Sequence, residues 1–327
     1  MIIAVDAAGG DYYPENPVKG SIQALNESTE LTVILVGPED IIEQELSKHD
    51  YDEQRLLVQH APDIIGMDEA PAQAVKSKQN SSIVSGIGMH KAGKCKAFVS
   101  AGNTGALLAA SSFLLGKLEG VSRPTIAAMY PTVKGLRLLL DVGANLEVRP
   151  DMFVQFAHMG KIFANEIMDV EDPTVGLLNV GEEEEKGTSV LKDAFKELEA
   201  LPNFVGNVEG RDIFSAEADI FLSDGLVGNL LLKFGESIPE ALNTFVKKGI
   251  QKLELGPEEA KLVGKVLKAS LAEFDSDRIG GVPFLGVDGV SMVGHGSSSP
   301  LAIRNMILNA AKCVDHSINK KIVASLK

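Results

Sequence analysis

The chain has 327 residues, 45% of them hydrophobic, and a formal net charge of −14. That length and apolar content suit one large α/β unit or two lobes around a cleft, while the acidic balance argues against nucleic acid as a partner. Aromatic residues make up only 5%, Trp is absent, and Cys95 and Cys313 lack a Cys or His at ligand spacing, so neither a disulfide framework nor a metal site is expected.

The pattern predicts a strand at 2–6, a helix at 17–27, a strand at 31–36, a helix at 39–48 and a strand at 55–59. Helices follow from 71 to 92, then a strand at 96–100, helical composition over 104–117 and a buried-strand run at 136–141. A helix at 150–168 opens on Pro150-Asp151, followed by a strand at 174–179, a helix at 188–200 and strands at 204–208 and 218–222. Helices at 226–253 and 257–274, a strand at 289–293 and a helix at 300–320 complete the chain. This alternation implies an α/β fold with a mostly parallel sheet flanked by helices, in three α/β/α layers. No Pro/Ser-rich linker or internal repeat divides it, so residues 1–327 are expected to form a single unit, with any lobe boundary at a crossover and a helical projection near 240–275. The chain opens on an apolar strand with no leader pattern, and its most apolar long stretch, 105–116, is too short to span a bilayer.

Six apolar runs end in small, polar, glycine-bearing loops. They begin at Asp6, Ser100, Asp141, Asn179, Ser223 and Gly294. Ligands of parallel α/β sheets sit outside the carboxyl ends of the strands, so these loops are expected to form one active-site floor. Gly294-His295-Gly296-Ser297-Ser298-Ser299-Pro300 combines glycines able to form a backbone nest, three hydroxyls, an N-cap serine and a proline suited to the first helical position. It reads as an anion site, with simple helix capping as the plainer account. Ser100-Ala101-Gly102-Asn103-Thr104-Gly105 offers a second such loop. The pairs Asp6 and Asp11, Asp141 and Asn145, and Asp224 and Asn229 place carboxylates and amides at strand ends, where capping is the competing role.

Charge is unevenly spread. Between Ala70 and Leu118 stand six lysines and no Asp or Glu. Lys76 and Lys78 precede Asn80-Ser81-Ser82 and are candidates for an anion, and Lys186 before Gly187-Thr188 is another. Over 257–274, Val263, Val266, Leu267, Leu271 and Phe274 recur at helical spacing with Lys261, Lys265 and Lys268 on another face. A surface helix, a dimer partner and a membrane-surface contact all fit that pattern. The P-loop, G-x-G-x-x-G, G-x-S-x-G and H-E-x-x-H patterns are absent.

As an ordered set, the loops are more specific than any one of them. With Arg123-Pro124, Gln155-Phe156-Ala157-His158, Gly206-Asn207-Val208-Glu209-Gly210 and Gly281-Val282-Pro283-Phe284, they run through the chain from residue 1 to about 320. The series resembles the bacterial phosphate acyltransferase family of PlsX type. Ala8, Leu226 and Val282 stand where that family more commonly has Met, Phe and Ala, which bears on acyl-chain preference and leaves the polar groups intact.

The resemblance implies transfer of a long-chain acyl group from acyl carrier protein to inorganic phosphate for phospholipid synthesis. It further implies an isopropylmalate-dehydrogenase-like architecture, a homodimer, no cofactor, and a cytoplasmic location with peripheral attachment to the membrane through 257–274, near a downstream glycerol-3-phosphate acyltransferase. The catalytic candidates are His295, Lys186, Asn103 and Asp224. The phosphate or substrate candidates are Asp6, Gly9, Gly10, Asp11, Lys76, Lys78, Ser100, Gly102, Thr104, Asp141, Asn145, Asn229, Gly296, Ser297 and Ser298. Lys91, Lys94 and Lys96 are candidates for docking the acidic carrier protein. A coenzyme A-dependent phosphotransacylase needs the same phosphate chemistry and stays open. A nicotinamide-linked dehydrogenase lacks a clustered Asp set and an adenosine-ribose site, and a non-enzymatic membrane scaffold would not need six polar loops.

Overall fold

In the first strand, β1 (Ile2–Asp6), the last four residues are all buried, so both its faces must be covered. The computed structural model, which describes residues 1–274 and 276–327, places it inside an 11-stranded sheet. The chain continues α1 (Glu15–Glu27), β2 (Thr32–Gly37), α2 (Glu39–Leu46), β3 (Leu56–His60), α3 (Pro71–Ser77), α4 (Ser82–Lys91), β4 (Ala97–Ser100) and α5 (Thr104–Ala110). Then come β5 (Thr125–Thr132), β6 (Gly135–Leu140), α6 (Pro150–Met168), β7 (Val175–Leu178), α7 (Ser189–Leu198), β8 (Phe204–Val208), α8 (Asp212–Ser215) and β9 (Ile220–Leu222). The last part holds α9 (Gly225–Lys252), α10 (Pro257–Ser270), α11 (Ser276–Ile279), β10 (Val282–Leu285), β11 (Val290–Val293), α12 (Pro300–Asp315) and α13 (Ile318–Ser325).

The strand order is β3-β2-β1-β4-β11-β10-β5-β6-β9-β7-β8. Strands β3, β2, β1, β4 and β11 form one parallel block, and β6, β9, β7 and β8 form another. The pairs β11–β10, β10–β5 and β5–β6 are antiparallel, so the two blocks run in opposite directions. Their carboxyl edges nevertheless lie close together. Val293 at the end of β11 pairs with Val282 at the start of β10, and the end of β10 pairs with the start of β5, beside the end of β6. The two edges are thus offset by the length of β10, four residues or about 13 Å.

Alternation along the strands supplies three layers. Ala4, Ile34 and Phe98 face one side with Ile83, Ile87 and Leu107 of α4 and α5. Ile3, Val5, Leu35 and Val99 face the other, under α1, α2 and α12. In the second block that other side packs against α6, α7 and α13 through Phe153, Phe156 and Phe163. The α/β/α sandwich expected from the sequence is therefore present.

The two strands missing from the sequence reading are β5 and β10, which are the antiparallel ones. Each contains a proline, Pro131 or Pro283, which weakens a strand pattern because the residue cannot donate to the ladder. The structure locates the breaks within the expected helical stretches. Residues 71–92 divide at 78–81, the 300–320 helix breaks at Ser317 (φ 53°), and 104–117 continues from α5 as a π-helical turn over Ser111–Leu115. The predicted 257–274 helix ends at Ser270, and a 3₁₀ turn over Ala272–Phe274 carries Phe274 back toward the sheet.

Helices α9 and α10 leave the layers. Along its 28 residues α9 buries only Gly225, Gly228 and Gly235, and α10 buries none. Leu230, Phe234, Leu242, Phe245 and Leu262 are exposed. Among the described residues no helix is long and apolar enough to cross a membrane.

Candidate active site

The loops after β1 and β4 are organised by one fully buried carboxylate. Asp6 accepts hydrogen bonds from Ser100 Oγ at 2.6 Å and from the Ala8 N–H at 3.1 Å. Ser100 Oγ in turn accepts from the Gly102 N–H at 2.9 Å. Burial pushes the Asp6 carboxyl up from its usual range, and the bonds from Ser100 and Ser82 oppose that. The second block repeats the device. Asp141, also buried, accepts from the N–H groups of Ile126, Ala144 and Asn145 and from Asn145 Nδ2. Asn145 Nδ2 also donates to the Pro124 carbonyl at 2.8 Å. Desolvation raises the Asp141 carboxyl as well. Asp6, Ser100, Gly102, Asp141 and Asn145 thus shape loops. Gly9 and Gly10 complete the first loop, where Gly10 has φ 93° and a Cβ would lie 2.9 Å from the Gly296 carbonyl.

Two expected catalytic groups are spent on structure. Asn103 caps α5 by accepting from the Ala106 N–H at 3.0 Å, and its Nδ2 donates to the carbonyls of Gly66, Met67 and Glu69. No donor is left for a developing oxyanion. Asp224 caps α9, accepting from the Val227 N–H at 2.8 Å. Next to it, Gly228 lets α9 approach the sheet: a Cβ there would fall 1.8 Å from the Asp141 carbonyl oxygen.

The lysines are also redistributed. Lys78 Nζ bonds Glu69 at 2.6 Å and the Ile64 carbonyl at 2.7 Å, so it anchors the 64–69 loop and holds the Glu69 carboxyl below its ordinary range. Lys76 is exposed on α3. Lys186 lies 3.9 Å from Glu183 on the loop after β7, held by Asn179 and Asn207. That strand stands two places from β6, roughly 10 Å along the sheet, so the loop does not reach the others. Lys186 is not among the residues that line the cavity described below. Lys91, Lys94 and Lys96 are exposed at the amino end of β4, opposite its Ser100–Gly105 loop.

Loops from both blocks meet around one cavity of about 410 Å³. Its polar side is made by Asp11, Thr104, Asn229, His295, Ser297 and Ser298, with Gly296 between the last three. Five of the six loops therefore contribute to one floor or support it. The Asp11 N–H donates to the Gly296 carbonyl at 2.7 Å, tying the first loop to the last. The Ser297 N–H donates to His295 Nδ1 at 3.3 Å, so the neutral ring carries its proton on Nε2 and can donate it. Helices α5, α9 and α12 begin at this floor, which turns three positive helix ends toward it.

The opposite side is apolar. Ile126, Ala128 and Tyr130 alternate along β5, facing Leu232 on α9 and Val282 on β10. Phe274 lines it too, which gives the end of the predicted 257–274 segment a place in the cavity. Lys233 is the only Lys or Arg among the lining residues, and it makes no ion pair among the described residues. The sequence reading passed over it, although Asn229 and Lys233 stand four apart and so share a helix face. Cys95 and Cys313 are buried away from the cavity, and burial pushes their thiols up to about 11 and about 12. Among the described residues no group of three His, Cys, Asp or Glu is placed to share a metal ion.

A family model described as "Fatty acid synthesis protein" matches residues 1–321. A phosphate acyltransferase from Chlorobaculum parvum is 46% identical, covering 100% of this chain and 99% of that protein. One from Salinibacter ruber is 47% identical, covering 94% and 92%. The chain belongs to the phosphate acyltransferase family. It is therefore an acyltransferase of the family whose loop series its sequence carries. Solved structures with the same fold include the EutD phosphotransacetylase from Staphylococcus aureus, with TM-score 0.59, 14% identity and coverage of 96% and 94%. A putative 4-hydroxythreonine-4-phosphate dehydrogenase from Salmonella typhimurium aligns with TM-score 0.55, 12% identity and coverage of 95% and 98%. At these identities the likeness shows the fold alone.

The strut role of Asn103 is testable. Asn103→Ala leaves a helix N–H and three carbonyls without their partner, and should lower unfolding stability by about 2–3 kcal/mol in denaturant titration. Unchanged stability would remove Asn103 from the framework.

Proposed function

We propose that the protein transfers a long-chain acyl group from acyl carrier protein to inorganic phosphate, yielding an acyl phosphate for phospholipid synthesis. The observation that carries this is a single cavity in which a floor of hydrogen-bond donors and helix N-termini adjoins an apolar wall. A phosphate and a thioester need the first, and an acyl chain needs the second.

Phosphate is already anionic at neutral pH, so it requires positioning more than deprotonation. Lys233, Asn229 and Thr104 are the groups available to hold it, and the Ser297 and Ser298 hydroxyls, bonded to His295 Nδ1 and the His295 carbonyl, would have to exchange those bonds to join them. A phosphate oxygen attacks the thioester carbonyl carbon. The oxyanion that develops is met by His295 Nε2–H and by the backbone N–H groups of His295 and Gly296, since those of Gly294, Ser297 and Ser298 are already bonded. Collapse breaks the carbon–sulfur bond and releases the pantetheine thiolate, a good leaving group that takes its proton from solvent. Attack is direct, with no acyl-enzyme. Both thiols lie outside the cavity with raised pKa, which supports this reading.

His295→Ala should lower kcat about 100-fold with little change in KM for phosphate. Lys233→Met should instead raise KM for phosphate about tenfold, in steady-state assays at fixed acyl donor. If the two variants gave the same pattern, the division between oxyanion and phosphate contacts would be wrong.

Carrier protein, a second copy of the chain and the membrane surface complete the proposed setting, with a downstream glycerol-3-phosphate acyltransferase as the consumer of the product. The exposed apolar residues of α9 support a homodimer, and the basic, unburied α10 supports peripheral membrane contact. A carrier protein on Lys91, Lys94 and Lys96 would sit a β4 length from the Ser100 loop, about 13 Å. Charge reversal at these three should raise KM for carrier protein several-fold and leave KM for phosphate unchanged; equal effects would sink the assignment.

The deciding experiment compares palmitoyl-acyl carrier protein with palmitoyl-coenzyme A as donor to phosphate, with a labelled-donor control lacking phosphate. Acyl phosphate from the carrier-protein donor and no labelled protein in the control is the expected result. Product from coenzyme A alone would favour the phosphotransacylase alternative, and a labelled protein would overturn direct attack.

A further inference from the structure

The polar side of the cavity is built mainly of groups that can donate hydrogen bonds, yet Asp11 places a carboxylate among them. That carboxylate is held over the 294–298 loop. The Asp11 N–H donates to the Gly296 carbonyl, and a Cβ on Gly296 would lie 3.2 and 3.3 Å from the two Asp11 carboxylate oxygens. The loop that carries it is wedged in place: a Cβ on Gly10 would lie 2.9 Å from the Gly296 carbonyl oxygen and 3.3 Å from Ala101 Cβ. Asp11 therefore stands where the first loop meets both the last loop and the one that leads to Thr104.

The other strand-end aspartates use their oxygens on the protein. Asp6, Asp141 and Asp224 each accept from backbone N–H groups. The Asp11 carboxylate has no hydrogen-bond or ion-pair partner among the described residues. A carboxylate accepts hydrogen bonds and cannot donate one, so beside a bare anion it is repulsive. Hydrogen phosphate and sulfate show what such a group can distinguish. Both are tetrahedral dianions, and they differ in one proton: phosphate keeps a P–OH where sulfate has only acceptor oxygens. The P–OH can donate to Asp11 in a charge-assisted bond. Sulfate sets acceptor against acceptor.

We propose that Asp11 selects the acyl acceptor by taking a hydrogen bond from the P–OH of phosphate, admitting tetrahedral oxyanions that keep a proton and rejecting sulfate. The inference rests on the acyl-transfer reading and deepens it, since it names the form of the acceptor that the site takes. With its P–OH on Asp11, phosphate has its other oxygens left for Lys233, Asn229, Thr104 and the thioester carbon. Arsenate keeps a proton as phosphate does and passes the same filter.

The test measures arsenate and sulfate as competitors of phosphate on the full chain, in wild type, Asp11→Asn and Glu236→Gln, with melting temperatures confirming folding. In wild type the inhibition constant of arsenate should fall within about tenfold of KM for phosphate, with sulfate at least about 100-fold weaker than arsenate. Asn keeps one acceptor and adds a donor, so Asp11→Asn should bring sulfate to within about tenfold of arsenate while KM for phosphate changes less than about tenfold. Glu236 also lines the cavity, from α9, and Glu236→Gln should keep the wild-type ratio. Sulfate as strong as arsenate in wild type, an unchanged ratio in folded Asp11→Asn, or a ratio lost equally in Glu236→Gln overturns the proposal. Anion binding is also read without acyl donor, by phosphorus NMR line broadening of phosphate and its displacement by arsenate or sulfate. If wild type forms no acyl phosphate, the acyl-transfer reading fails, and the displacement series decides separately whether Asp11 sets the anion preference. A wild type that neither turns over nor binds phosphate overturns both.

Discussion

Two residue pairs hold the architecture together at its narrowest point. Phe284 beside Ile126 and Leu285 beside Thr125 are the ladder contacts between β10 and β5, and through them two parallel blocks of opposite direction become one sheet. Opposed parallel blocks in a wide sheet would send their ligand loops to opposite ends of the molecule. Because the bridging strand β10 is four residues long, the two carboxyl edges are offset by only that length, and loops from both reach one cavity. The seam is thus what makes the site bipartite, with the polar loops mostly from the first block and the apolar wall from β5, β10 and α9.

Within that frame, polar groups divide by whether their hydrogen-bonding capacity is already used. Asp6 and Asp141 are buried carboxylates that gather the donors of their own loops, and leaving either loop without its acceptor would strand several buried N–H groups. Asn103, Asp224 and Lys78 are used in the same way, as two helix caps and a loop anchor. What remains without a side-chain partner toward the cavity, among the described residues, is a shorter list of donors: Thr104, Asn229, Lys233 and His295 Nε2, while the Ser297 and Ser298 hydroxyls are engaged by His295 Nδ1 and the His295 carbonyl. In the proposed reaction chemistry falls to these groups, because the others rigidify the backbone that carries them.

The helical excursion of α9 and α10 is tied to the same cavity at both ends. Its first turns carry Asn229 and Lys233, and its return brings Phe274 back to the wall. Cavity-lining groups therefore flank an element whose remaining surface is largely exposed and in part apolar. Any protein or membrane surface that covers α9 and α10 would act close to the acyl side of the site.

How far the sequence led can be traced residue by residue. The parallel strands were legible because most are short apolar runs closed by glycine-bearing polar loops, and the helices because their apolar periodicity and caps are local signals. Helix α6, opened by Pro150, falls where its pattern placed it. The loop series alone carried the family. The antiparallel strands were hidden, since Pro131 and Pro283 interrupt them and their partners lie far off in the chain. Among polar residues, sequence determined which ones stand at strand ends, because that follows from local pattern. Only the tertiary structure decided which of them are free. Lys78 is occupied by Glu69 nine residues away and Asn103 by a loop some 35 residues before it, while Lys233 has no such partner among the described residues. A hydrogen bond is a property of a pair, and where the pair is distant in sequence neither residue announces it.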